Sequence, residues 1–185
     1  MSHTQPHTDQ ELFQLLQENK EEAVTELFRR HYVYVCKSAY RIIGNEAIAE
    51  DLAQDVFLGL WKRRAQLNIK TSVKAYLKKA VTNKALNYIR DQKMKFTDTE
   101  KMPEMPAKAV GIHQELEKEE LEQVIQKAVN RLPERCRIVF CLSRFEELSY
   151  QEIADQLEIS IKTVENQISK ALKFLRAELI AYRNN

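Results

Sequence analysis

The chain has 185 residues, enough for one large or two small domains, with 30% charged residues but only three Gly and four Pro. So little turn-forming material disfavours a β-rich protein and predicts an all-α fold made of two small helical domains. The net charge of +2 carries no gross signature of nucleic-acid binding, and no run of about 18 apolar residues is present to cross a membrane.

The start, MSHTQPHTDQ, has neither a basic n-region nor an apolar core, which predicts a cytoplasmic protein without direct membrane insertion. Thr8 and Glu11 then form a capping box, opening a short helix with Leu12, Leu15 and Leu16 on its inner side. A second helix runs from about Lys20 to Ile43, where Gly44 can take the left-handed conformation that ends it. Asn45 caps a third helix that reaches about Arg64. On it Ala49, Leu52, Ala53, Val56, Phe57 and Leu60 make a broad inner face, while Asp51, Gln54, Asp55, Leu58 and Lys62 point away. An apolar Leu58 ringed by acids, an amide and a cation suits a protein-docking surface with a small dry centre and a polar rim.

Periodicity lapses over residues 65–71 and resumes in a fourth helix from Ser72 to about Gln92. Val73, Leu77, Ala80, Val81 and Tyr88 fall on its inner side, and Lys79, Asn83, Leu86 and Arg90 form an outer stripe with Tyr76 at the edge. Cations for phosphates, an amide for a base edge and an aromatic for stacking suit a surface that holds separated DNA strands. The preceding loop, with Asn68, Lys70, Thr71 and Ser72, could close over an unstacked base. Between residues 70 and 95, eight Lys and Arg face one acid, whereas residues 100–122 carry seven acids against three lysines. Such alternation fits separate contact surfaces for DNA and for another partner.

From about Lys95 to His113 the chain carries Pro103, Pro106 and Gly111 and few large apolar groups, the composition of a linker. A second domain starts near Gln114, with Pro133 in the first turn of its second helix. Leu148 to Leu175, LSYQEIADQLEISIKTVENQISKALKFL, then carries the densest signal. Ser149 and Glu152 form another capping box on a short helix with Ile153, Ala154 and Leu157 inward, and Ser160 caps the next helix after a break at Glu158 and Ile159. Ile161, Val164, Ile168, Ala171, Leu172 and Leu175 fall on one side of that last helix, and Lys162, Thr163, Asn166, Lys170 and Lys173 on the other. An amide, a hydroxyl and cations on one face of a second helix are helix-turn-helix chemistry, aimed at a major groove.

Cys36, Cys136 and Cys141 read as reduced, mostly buried thiols, and the four His show no spacing that pairs with them for zinc, so no metal or cofactor is expected. No phosphate-binding Gly loop, G-x-S-x-G elbow or H-E-x-x-H helix occurs; Glu50, Asp51 and Asp55 are the one acidic group a catalytic reading could use.

Three stretches together resemble the extracytoplasmic-function (ECF) sigma factors of the sigma-70 family: AEDLAQDVFLGLWKRR (Ala49 to Arg64), SVKAYLKKAVTNKALNYIRDQ (Ser72 to Gln92), and Leu132 to Arg176. The wording KTVENQISKALKFLR looks most like the group typical of Bacteroidetes, often paired with a membrane-anchored anti-sigma factor. The resemblance implies a non-enzymatic initiation factor whose partners are core RNA polymerase, promoter DNA and such an anti-sigma factor. It implies a region 2 domain over residues 1–94, a linker over 95–113 and a region 4 domain over 114–185. Asp51, Gln54, Asp55, Leu58 and Lys62 would dock on polymerase. Asn68, Lys70, Tyr76, Lys79, Asn83, Leu86 and Arg90 would read and melt the minus-10 element. Lys162, Thr163, Asn166, Gln167, Lys170 and Lys173 would read the minus-35 element. Glu165 sits where many ECF members carry a cation, so their minus-35 preference does not transfer. The stretch EIADQLEISIKTVENQI also resembles the output domain of LuxR-type regulators, which leaves a stand-alone helix-turn-helix regulator as the alternative.

Overall fold

The computed structural model describes residues 7–92 and 118–183, and every regular element in them is an α-helix. The first four are α1 (Asp9–Gln17), α2 (Glu21–Ile43), α3 (Glu46–Arg63) and α4 (Val73–Asp91). The second four are α5 (Lys118–Asn130), α6 (Glu134–Arg144), α7 (Tyr150–Leu157) and α8 (Ile161–Arg183). The chain divides into two compact units at Tyr88/Ile89. The expected linker, 95–113, and the expected domain start at Gln114 lie outside the described residues.

In the first unit α2 packs along α3 and α1 packs on α2. Leu16, Leu27, Val35, Ala53, Leu60 and Leu77 sit at the centre of the core, fully buried. Each large aliphatic side chain so removed from water contributes roughly 1.5–3 kcal/mol. Thr8 makes the reciprocal capping box with Glu11, and Gly44 ends α2 at φ 72°, where its amide still donates to the Tyr40 carbonyl. Phe13 joins the buried face of α1, while Leu15 is only half-buried against the same core.

A polar clasp ties α1 to α2. His31 Nε2 lies 2.6 Å from Asp9 Oδ2, and Arg30 donates to both Asp9 Oδ1 at 3.2 Å and the His7 carbonyl at 2.7 Å. Arg30 is held in turn by Glu26, which also receives Arg29; hydrogen bonds from Arg29 and then Arg30 hold the Glu26 carboxyl down at about 2.

In the second unit α5, α6 and α7 all pack on α8. Ile138, Leu142, Ile153, Val164, Ala171 and Phe174 are among its most buried apolar side chains, together with Val129, Val139 and Cys141. The eight residues of α7 are too few to hold a helix alone, so its existence rests on this packing and on the Ser149–Glu152 box. Ile161 and Leu172, expected inward, are 42% and 43% exposed, and Phe174 is buried at 1%. At about 100° per residue, Gln167 and Phe174 flank one side of the Val164–Ala171 line while Ile161 and Leu172 fall outside the other. The face of α8 that packs is therefore rotated from the one apolar residues alone mark out.

Candidate nucleic-acid interface

α3 starts where the Asn45 side chain accepts the Ile48 amide at 3.2 Å, which sets the phase of the helix. Asp51, Gln54, Asp55, Leu58 and Lys62 are all exposed, Leu58 at 48%, and helical spacing brings them to one side. Asp55 accepts an ion pair from Lys84 Nζ of α4 at 2.9 Å. Both groups are substantially solvated, so this pair orients side chains more than it stabilises the fold. Phe28 extends the apolar part of this region: it is 38% exposed, stacks on Tyr32 at 4.4 Å and meets Phe57 edge-on at 5.0 Å. The Phe28, Tyr32, Cys36 spacing of four was the sequence signal for such a stripe on α2. A hydrogen bond from Gln54 favours the Tyr32 phenolate, but Cys36 and burial outweigh it and push the phenol up. Burial likewise pushes the Cys36 thiol up, and Cys36, Cys136 and Cys141 form no disulfide.

The loop between α3 and α4 is fixed from below. Gln17 Nε2 of α1 donates to the carbonyls of Arg64 and Leu67, at 3.3 and 3.0 Å, and Ile69 is buried. Asn68 and Lys70 on either side of Ile69 are exposed, as are Thr71 and Ser72. Ser72 starts α4 by accepting the Ala75 amide on its hydroxyl at 3.1 Å. Beyond it a cleft of about 490 Å³ opens between α3 and α4, lined by Tyr76, Lys79, Asn83, Lys84 and Asn87 with Val56, Arg63 and Leu67. Its wall offers an aromatic ring, amides and cations, the groups that hold a base and its phosphate.

Lys79, Asn83 and Arg90 are exposed as the outer stripe requires, and Tyr76 is half-buried at its edge. Leu86 is not part of that surface, being only 4% exposed. With Thr82, Ala85 and Ile89 it carries the buried arc of α4 well past the Leu77–Val81 line: Leu86 lies about 140° from Val81 and about 180° from Leu77, so this part of α4 is covered on more than its core-facing side. Lys74, exposed at the start of α4, has its Nζ 4.6 Å from the centre of the Tyr34 ring.

In the second unit, Glu158 takes the left-handed conformation at φ 55° to break α7 from α8, and the Ile159 amide returns to the Ala154 carbonyl. Ser160 caps α8 by accepting the Thr163 amide at 3.0 Å, and its hydroxyl also meets the Thr163 hydroxyl at 2.9 Å. Lys162 and Lys173 are exposed, and Thr163, Asn166 and Lys170 are half-buried. Lys162 pairs with Glu165 at 3.3 Å, which offsets part of the positive charge at the start of the helix. Gln167 departs from the expected reading face: it is 1% exposed and takes a hydrogen bond from Cys136 of α6 at 2.8 Å. Polarity suggested an outward residue, but its position one turn before Ala171 and two before Phe174 puts it in the packed arc.

Among the described residues no three His, Cys, Asp or Glu side chains come together as a metal site, and no helix is long and apolar enough to cross a membrane. Residues 27–94 match the family description "Sigma-70 region 2" and residues 122–175 match "Sigma-70, region 4". The chain is 27% identical over 165 residues to the ECF RNA polymerase sigma factor SigW of Bacillus subtilis, covering 84% of this chain and 87% of that protein. It is 31% identical over 155 residues to the ECF RNA polymerase sigma factor SigE of Mycolicibacterium smegmatis, covering 82% of this chain and 59% of that protein. A solved structure of CnrH in complex with the cytosolic domain of CnrY aligns with a TM-score of 0.49 at 23% identity, covering 94% of this chain and 97% of that one.

Proposed function

Because the chain belongs to the ECF sigma factors of the sigma-70 family, we propose how its surfaces divide the work of promoter-specific transcription initiation. Asp51, Gln54, Asp55, Leu58 and Lys62 dock on core RNA polymerase, and exposed Phe28 extends their apolar centre. The α3–α4 cleft holds an unstacked minus-10 base, with Tyr76 for stacking, Asn83 for its edge, and Lys79 and Arg90 for the backbone on either side. Asn68 and Lys70, on a loop pinned at Leu67 and Ile69, approach the same strand. Lys162, Thr163, Asn166, Lys170 and Lys173 meet the minus-35 element. The domains follow the same division: residues 1–94 for docking and minus-10, 95–113 as linker, 114–185 for minus-35.

The observation that carries this reading is the cleft, whose aromatic, amide and cationic wall suits a single-stranded base better than a duplex. Two linked reading units gain effective concentration on DNA only when the spacing of their elements fits, so both elements are selected together. The factor itself forms no catalytic centre in this scheme, works in the cytoplasm, and is held in check by a membrane-anchored anti-sigma factor of the Bacteroidetes kind.

The test is abortive transcription by purified core polymerase on fragmented genomic DNA, with and without the protein. New protein-dependent start sites sharing two spaced elements are expected. Sequence-specific binding by the protein alone, with no new start sites, would overturn the reading in favour of a stand-alone regulator.

A further inference from the structure

Asn166 and Gln167 are neighbours on α8, yet only Asn166 retains access to solvent; Gln167 is 1% exposed. Oε1 of Gln167 accepts from Cys136 Sγ across the α6–α8 contact, and its Nε2 is buried with no hydrogen-bond partner among the described residues. An amide so placed is unfavourable beside an apolar side chain of the same shape. Its neighbours in the packed arc, Val164, Ile168, Ala171 and Phe174, hold α8 against the unit through non-directional apolar contact. Such contact tolerates small rotations of a helix about its axis. A hydrogen bond does not. A rotation of about 20° moves a side-chain atom 5–6 Å from the axis by about 2 Å, enough to break a base-edge hydrogen bond at Asn166 or Lys170.

We propose that Cys136 and Gln167 form a directional lock on the rotation of α8, making Gln167 a positioning residue for minus-35 discrimination and not a base-contacting one. The inference rests on the minus-35 reading of α8 given above. Polar specificity is here exchanged for some stability, as buried polar groups do where they fix the register of packed helices.

The experiment uses the full chain with core polymerase on a library of minus-35 variants, alongside thermal melting. C136V/Q167L replaces the bonded pair by apolar groups of similar shape, and C136S keeps a donor in place. The double variant is expected to melt no lower than the native chain while its discrimination between the best and single-base-changed elements falls at least about fivefold. C136S is expected to retain discrimination. Native discrimination in a well-folded C136V/Q167L overturns the lock, as does a loss in C136S equal to that in the double variant. Should the double variant fail to fold, Q167L alone gives the same reading, since it removes the amide acceptor and leaves Cys136 in place. Asn166→Ala separates the two levels. If it alters the preferred element and C136V/Q167L does not, the lock alone fails; if it too leaves the preference unchanged, the minus-35 assignment fails and takes the lock with it.

Discussion

Leu58→Asp should weaken docking on polymerase by about thirtyfold or more while leaving the helices intact. Leu58 is 48% exposed, so about half of the roughly 2 kcal/mol that a buried leucine contributes is at stake in the fold, about 1 kcal/mol. A domain with ordinary stability tolerates that loss. At the centre of a docked interface the same change removes an apolar anchor and forces a carboxylate out of water, at a cost of about 2 kcal/mol or more, or about thirtyfold in affinity. The assay is competition binding to core polymerase against the native chain, with circular dichroism melting as the control for folding. Leu60→Asp is the contrasting variant: Leu60 is fully buried two residues away, and a carboxylate there should unfold the unit. Native affinity in a folded Leu58→Asp protein would refute the docking assignment.

Lys79→Ala removes one cation from the edge of the α3–α4 cleft and should lower the slope of log affinity against log salt by about 0.7–0.9, measured on forked promoter DNA with holoenzyme; an unchanged slope would place Lys79 off the backbone. Glu26 has its folded carboxyl lowered from 4.5 to about 2 by Arg29 and Arg30, so its contribution is present above about pH 4.5 and is lost as pH falls toward 2. Glu26→Gln should therefore flatten the pH dependence of unfolding across that window, and an unchanged acid limb would refute the pairing. Glu158 stands at φ 55°, where a side chain costs about 1 kcal/mol that glycine avoids; Glu158→Gly should raise the melting temperature, and a lower one would show that the side chain makes a compensating contact.

The helix boundaries were written in local sequence because they depend on groups three or four residues apart. Thr8 with Glu11, Asn45 with Ile48, Ser149 with Glu152 and Ser160 with Thr163 each satisfy helix-end donors that no distant residue is needed to reach. Gly44 stops α2 for an equally local reason, the freedom of a residue without Cβ at φ 72°. The polar faces of α3 and of the α8 start were legible on the same basis, since helical period alone brings Asp51, Asp55, Leu58 and Lys62 together. Only tertiary packing decided which part of a broad apolar arc would be covered. Leu86 went under and Ile161 and Leu172 stayed out, because the centre of a buried arc is set by the helix packed against it. The same is true of Gln167, whose polarity promised an outward role until Cys136, 31 residues earlier, met it in the core. The Asp55–Lys84 pair spans 29 residues and the Asp9–His31 clasp 22, separations at which one-dimensional spacing carries no information about contact.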